Sequence, residues 1–351
     1  MRIPPNDERL LWHGAVSVER TDNCAMPWRI PHEERGLFHE GVVMRAAMPA
    51  GVRIAFRSDT TTVAGTVEPQ PDVSPIDLCC DGEVVGSAEL SGRDEFRFDG
   101  LPAGEKAIEL WLPQFGEFRL KSLVLSDGAS LEPLEDERPR WLTYGSSITH
   151  CRAAESPTQT WPAIVARERG LNLTCLGYGG NCHLDPMVAR MMRDLPADFI
   201  STCLGINIYG GASLGPRAFQ QAISTCLGIN IYGGASLGPR AFQQAIIGSV
   251  KTMRERHETI PIVLMSPIFA KDREETPNAV GFTLRAMREE VAAAAEALRA
   301  HGDANVHYVD GHQILGPEDN GLADDGVHPT AEGYKMMGRN FLDKVVARVF
   351  P

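Results

Sequence analysis

The sequence is poor in the features that mark membrane, nucleic-acid and disulfide-framework proteins. No uninterrupted apolar stretch approaches the roughly 18 residues of a spanning helix, so no membrane insertion is expected. The opening Met1-Arg-Ile-Pro-Pro-Asn-Asp-Glu-Arg lacks the apolar centre of an export signal, which points to the cytoplasm. Lys and Arg number 34 against 46 Asp and Glu, and the formal net charge is −12. That balance argues against nucleic acid or an anionic lipid surface as partner, although solubility alone would account for it. None of the eight cysteines has Cys-x-x-Cys spacing and only Cys79 and Cys80 adjoin, so free buried thiols are expected. The ten histidines include no His-x-x-x-His pair. No metal or cofactor is therefore expected.

What remains is an ordinary globular composition, 43% hydrophobic and 23% charged, over a chain of 351 residues, long enough for two domains. Up to about residue 135, short β-like runs recur: Val42–Ala47, Val52–Arg57, Ile76–Cys80, Phe96–Phe98, Ala107–Leu112 and Phe118–Leu125. Turn clusters such as Asp81-Gly82 and Asp99-Gly100 separate them, which predicts an antiparallel β-sandwich, jelly-roll-like, over 1–135. The charged, Pro-flanked tract 131–139 reads as a linker. From 136 to 351 the pattern alternates. Strands are predicted at 141–146, 172–177, 199–206, 261–266 and 305–310, and helices at 158–169, 185–194, 239–257, 280–301 and 330–349. Such βα units build a parallel sheet covered on both faces, with sites beyond the carboxyl ends of its strands.

Four segments fall at those ends. The run Trp141–Tyr144 leads into Gly145-Ser146-Ser147-Ile148-Thr149, a small-residue turn that lifts a serine hydroxyl clear of the sheet. Leu176-Gly177-Tyr178-Gly179-Gly180-Asn181 follows the second strand and Leu204-Gly205-Ile206-Asn207 the third. Late in the chain, Asp325-Gly326-Val327-His328-Pro329 sets a carboxylate three residues before an imidazole. Serine, histidine base and acidic orienter are the parts for acyl transfer through a covalent intermediate. Taken singly, Ser147 also reads as a helix N-cap and His328 as a surface histidine before a Pro-started helix. Gly180 also reads as a plain turn glycine, and Asn207 as an Asx-turn residue ending a strand.

In their order and spacing these blocks resemble the SGNH hydrolases, the GDSL esterase/lipase family, in a branch with an N-terminal β-sandwich. The resemblance spans roughly 140–351 and implies a three-layer, flavodoxin-like α/β domain. It implies Ser147 as nucleophile, His328 as base and Asp325 as orienter, with Asp324 a neighbouring alternative. The oxyanion hole would combine the backbone N–H groups of Ser147 and Gly180 with the Asn207 amide. Two positions depart from the pattern: Ser146 stands where the family usually has Asp, and Ile208 where Gly-x-Asn-Asp ends. Neither position performs the chemistry.

One further feature is unusual. Residues 201–223 recur without change at 224–246, so Asn230 duplicates Asn207. A single repeat of this kind is not a solenoid. One copy of the strand enters the sheet, and looping out the surplus costs about 1–2 kcal/mol because closure entropy grows logarithmically with length. Flanking context favours a hybrid that takes its strand and Asn207 from the first copy and its helix from the second. Residues roughly 208–238 then form an excursion. The alternative expels the first copy and uses Asn230. Three functions compete: a serine esterase acting on a small-molecule or carbohydrate ester, an O-acyltransferase using the same acyl-enzyme from a small acyl donor, and a binding protein disabled by the duplication.

Overall fold

The structure, a computed structural model, describes residues 1–211, 239–278 and 281–350. By its contacts the chain divides into two compact units, Met1–Arg140 with His150–Leu176, and Trp141–Thr149 with Gly177–Pro351.

The first unit contains β1 (Arg2–Ile3), β2 (Leu11–His13), β3 (Ser17–Arg20), β4 (Ala25–Trp28), α1 (Glu40–Ala46), β5 (Arg53–Ser58), β6 (Thr62–Val67), β7 (Ile76–Cys80), β8 (Glu83–Ala88), β9 (Glu95–Asp99), β10 (Lys106–Trp111), β11 (Leu120–Leu125) and β12 (Glu132–Pro133). They form two antiparallel sheets, β3-β4-β11-β6-β9 with β1 beside β11, and β12-β5-β10-β7-β8 with β2 beside β5. Inward residues of both, among them Ile54, Phe56, Leu78, Leu110, Leu120 and Leu123, make one core. At about 25 cal/mol per Å² of apolar area removed from water, that core is the main source of the unit's stability.

Two departures from the expected pattern stand out here. Val42–Ala47, expected as a strand, falls in helix α1 and its C-cap Ala47: His39 Nδ1 accepts the Gly41 N–H at its start, and Val42 and Ala46, one turn apart, are the helix's buried residues. The period is helical, and the β-branched pair Val42-Val43 conceals it. Strand β6 alternates as expected of a half-buried strand, but one inward position is Gly65, where a Cβ would stand 2.5 Å from the Phe96 ring. The tract 131–139 includes β12, paired with β5, and a buried Asp136.

The remaining elements alternate: β13 (Arg140–Gly145), α2 (Ser147–His150), α3 (Trp161–Arg169), β14 (Asn172–Gly177), α4 (Pro186–Asp194), β15 (Phe199–Cys203), α5 (Ile206–Gly211), α6 (Pro239–Arg254), β16 (Ile262–Met265), α7 (Leu284–Ala300), β17 (Val306–Val309) and α8 (Ala331–Phe341). The five strands make one sheet in the order β14-β13-β15-β16-β17, and β13, β15, β16 and β17 run parallel in register. Three strands, β13, β15 and β16, are fully buried runs or nearly so, as parallel strands covered on both faces are. The helices carry recognisable starts: Thr283 caps α7 through Ala286 N–H, Thr330 caps α8 through Gly333 N–H, and proline opens α4. Strand β15 runs into the first copy of the repeat, which supplies Ser201–Cys203, and the N-terminal half of α6 belongs to the second. Of the expected excursion, residues 212–238 lie outside the described residues. Among the described residues, no helix is long and apolar enough to cross a membrane.

Candidate active site

The site grows from the end of β13. A Cβ at Gly145 would fall 2.1 Å from Thr149 Oγ1 and 2.9 Å from Thr149 Cβ, so only glycine lets the chain turn this sharply into α2. Tyr178 N–H donates to Gly145 O at 2.8 Å and ties the second block to the first. Ser146 points inward and is buried, its Oγ accepting the Ile148 N–H at 3.3 Å. Ser147 is the serine left accessible, and its Oγ lies 2.9 Å from His328 Nε2.

The histidine comes from a tight turn. Gly326, at φ +66°, lies between acid and base, and Ala323 N–H donates to His328 O at 2.8 Å. Asp325 takes the place expected of the orienter: its Oδ2 is 2.6 Å from His328 Nδ1, and its Oδ1 accepts the backbone N–H groups of Val327 and His328 at 2.8 and 2.9 Å. A carboxylate against Nδ1 requires the proton there. That leaves the Nε2 lone pair facing the serine O–H, the tautomer a general base needs. Burial would raise the Asp325 carboxyl, but the His328 ring hydrogen bond, the two backbone donors and the imidazole's charge outweigh it and hold the carboxyl at about 2. Asp325 is thus ionised at any working pH.

The oxyanion candidates are linked to one another. Asn181 N–H donates to Tyr178 O at 2.8 Å, and Gly180 occupies the third position of that turn with φ +75°. Positive φ there is the glycine position of a type II turn. Asn207, in α5, accepts the Cys182 N–H on its Oδ1 at 3.0 Å. That bond fixes the orientation of the amide, because an N–H can only meet the oxygen end, and its NH₂ end is the donor. Hydrogen bonds therefore run from Gly145 through Tyr178 to Cys182 and Asn207. Asn230 lies outside the described residues.

Two histidines near these motifs have other work. His150 is buried with Nε2 2.7 Å from Gln114 O, and burial, helped by Arg29, Arg45 and Arg152, pushes it well below its ordinary value, so it stays neutral. His183 Nε2 lies 3.1 Å from Gly180 O. Cys182 is buried, and burial pushes its thiol far up, which removes it as a nucleophile. Sequence reasoning passed over Tyr144, whose buried Oη accepts the Leu184 N–H at 3.2 Å and steadies the segment after Gly180. It also passed over Lys271, whose backbone N–H donates to Gly326 O at 2.8 Å. A main-chain donor leaves no trace in residue type.

Residues 143–336 match the GDSL-like lipase/acylhydrolase family, and residues 10–121 match the N-terminal domain of SsfX3. Among solved structures, the salicylyl-acyltransferase SsfX3 from a tetracycline biosynthetic pathway shares 35% identity with a TM-score of 0.86, covering 100% of this chain and 98% of that one. A family two carbohydrate esterase from Cellvibrio japonicus shares 15% identity with a TM-score of 0.64, covering 99% of this chain and 98% of that one. Another, from Clostridium thermocellum in complex with cellohexaose, shares 15% identity with a TM-score of 0.60, covering 86% of this chain and 93% of that one. At such identities the two esterases share the fold. No curated protein sequence matches the chain.

Proposed function

The chain belongs to the GDSL-like lipase/acylhydrolase family, and from that premise we propose that it forms an acyl-enzyme on Ser147 and passes the acyl group to an alcohol. It is an enzyme acting on ester bonds, by hydrolysis or by transfer. The observation that carries the proposal is the hydrogen-bonded row Ser147 Oγ, His328 Nε2, His328 Nδ1, Asp325 Oδ2, at 2.9 and 2.6 Å.

In the proposed cycle Ser147 Oγ attacks the carbonyl carbon of a small acyl donor while His328 Nε2 takes the hydroxyl proton. Asp325 holds the ring and stabilises the imidazolium. The carbonyl oxygen gains charge beside the N–H groups of Ser147 and Gly180 and the Asn207 amide. As the tetrahedral species collapses, His328 returns the proton to the leaving group. An acceptor hydroxyl, or water, then gives its proton to His328 and attacks the acyl-serine, and as the acyl–Oγ bond breaks His328 hands that proton to Ser147 Oγ, restoring the free enzyme. Full-length likeness to a salicylyl-acyltransferase supports transfer of an aromatic acyl group over hydrolysis. Hydrolysis is the same cycle with water as acceptor. We also propose a cytoplasmic location and a domain boundary near 135/136, with the sandwich as accessory domain.

A fluorophosphonate should label one serine per chain, and the label should vanish in Ser147→Ala. With p-nitrophenyl benzoate as donor, adding alcohol acceptors should raise p-nitrophenol release and yield a benzoylated alcohol. Absence of labelling would favour a binding protein. Labelling without any acylated alcohol would leave an esterase.

A further inference from the structure

The segment after β16 carries no motif, yet it touches both halves of the candidate site. At one end, Lys271 N–H donates to Gly326 O at 2.8 Å, inside the Asp325–His328 turn. The fit is close on the side-chain side as well, since a Cβ on Gly326 would stand 3.0 Å from Lys271 Cβ. At the other end, Tyr209 Oη donates to Thr276 O at 3.1 Å and Asn278 Nδ2 donates to Tyr209 O at 3.1 Å. Tyr209 is buried and lies two residues after Asn207 in α5.

Between those ends the segment is pinned by an ion pair. Glu274 pairs with Arg288 of α7, whose side chain is 8% exposed. Arg288 Nη1 also donates to Pro267 O at 3.1 Å, and Glu274 Oε1 accepts the Ala270 N–H at 3.2 Å. Arg273 N–H closes the turn on Ala270 O at 3.2 Å, with Asp272 at φ +60°. A non-glycine residue in that region persists only where its surroundings hold it. Glu274 holds it, by clasping the turn's first N–H and a guanidinium anchored on the following helix.

We infer that Glu274 is a positioning residue for the reaction: with Arg288 it fixes residues 270–278 as a strap that fastens the Asp325–His328 turn at one end and the Asn207 helix at the other. The inference rests on the proposed roles of Ser147, His328 and Asn207. Base and oxyanion donor must each stand within a fraction of an ångström of their working positions, and about 1 Å of misplacement costs about 10²-fold in rate. A strap bonded to both keeps them in one frame.

The test uses the full chain with p-nitrophenyl acetate, each variant's rate being divided by its fluorophosphonate-titratable sites so that unfolded protein does not count. Glu274→Ala should lower kcat about 10–100-fold with KM nearly unchanged. Glu274→Gln keeps an oxygen for the Ala270 N–H and should fall between Glu274→Ala and the parent. Tyr209→Phe keeps the buried ring, removes only the bond to Thr276 O, and should lower kcat about 3–10-fold with KM nearly unchanged, the weight of one neutral hydrogen bond. If Glu274→Ala yields no folded protein, Tyr209→Phe alone decides. A kcat per titrated site within twofold of the parent in the folded variants, whatever their melting temperatures, overturns the strap. Turnover surviving in Ser147→Ala would instead strike the proposed function, so the two failures are distinct.

Discussion

Arg53 and His328 each sit against a carboxylate, one in each compact unit, and the two pairs are kept under opposite conditions. Arg53 is fully buried. It reaches Asp136 at 3.2 Å and Glu109 at 3.6 Å, and it donates to Asn172 Oδ1 at 2.8 Å and to the Gly51 and Leu173 carbonyls at 3.0 Å. Its guanidinium lies 5.0 Å from the centre of the Trp111 ring. Arg138 closes the network on Asp136 and Glu109. Burial pulls the Asp136 carboxyl up, and the hydrogen bond and charge of Arg138, followed by Arg53, bring it below its usual range. His328 and Asp325 are 42% and 50% exposed, and the imidazole keeps one nitrogen for Ser147. A guanidinium does not release its proton, so the buried network holds a fixed charge and serves only to tie the chain. An imidazole beside solvent can gain and lose a charge each turnover without paying a buried-ion penalty.

The comparison breaks most visibly at the proposed nucleophile. Ser147→Ala should lower turnover by at least ~10³-fold, because the remaining donors and binding contribute only the residual catalysis, and it should leave the melting curve in place since the side chain supports nothing else. Ser146→Ala removes a buried Oγ bonded to Ile148 N–H and should cost little rate. Steady-state kinetics on both variants checks this, and a dead Ser146→Ala beside an active Ser147→Ala would reassign the turn.

Arg53→Met makes the opposite test. It leaves Asp136 and Glu109 buried with only Arg138, and stripping one partner from a buried network costs about 3–5 kcal/mol. Urea unfolding should record that loss, while kcat per fluorophosphonate-titrated site stays near the parent's. A selective loss of kcat with unchanged stability would mean the network acts in the chemistry.

The two regions also differ in how far their sequences could be read. The strand–helix alternation announces itself after residue 136 because buried parallel strands such as Ile262–Met265 are short apolar runs and helices such as Leu284–Ala300 start on a capping threonine. The sandwich hides more. Strand β8, Glu83–Ala88, is largely exposed, and β6 uses Gly65 as an inward residue, so neither shows the expected apolar alternation. That Ser147, Asp325 and His328 come together was legible because the chemistry proposed for them depends on side-chain type. The supports at Lys271 and Cys182 were not, because they act through backbone N–H groups.

Within the second unit the repeat offers a smaller effect. Asn207→Ala should lower kcat about 10²–10³-fold, the usual loss for one oxyanion donor, and Asn230→Ala should be nearly silent. Comparable losses at both would mean that the copies exchange. Because the copies are identical, deleting 224–246 gives the same chain as deleting any 23 consecutive residues that begin between 201 and 224. The product joins α5 to α6 through Ala-Ser-Leu-Gly, within the two to eight residues usual between helices. It should fold, melt no lower than the present chain and keep turnover. Failure to fold would sink the looped-out account.

The finest distinction between the two ion pairs lies in their response to acid and salt. Asp325 falls from an unfolded value of about 3.9 to about 2 in the folded chain. A carboxyl depressed on folding contributes stability that is complete above the unfolded value and disappears as pH falls through the folded one. Its contribution is therefore present at pH 5 and above, shrinks from about pH 4 and is gone below about pH 2. Asp136 has the same sign of shift and the same direction of loss. The environments separate them. Asp325 is half exposed, so mobile ions screen its interaction. Asp136 is 3% exposed and is screened far less. Asp325→Asn should lower the melting temperature slightly at pH 6, with the difference closing both at pH 2 and in 1 M salt at pH 6. Asp136→Asn should lower it more at pH 6, and 1 M salt should leave most of that difference standing. Thermal melts of the three proteins at two pH values and two salt concentrations measure all of this. Equal salt sensitivity in the two variants would mean that burial does not divide the pairs, and the contrast between a charge that ties the chain and a charge that cycles would lose its physical basis.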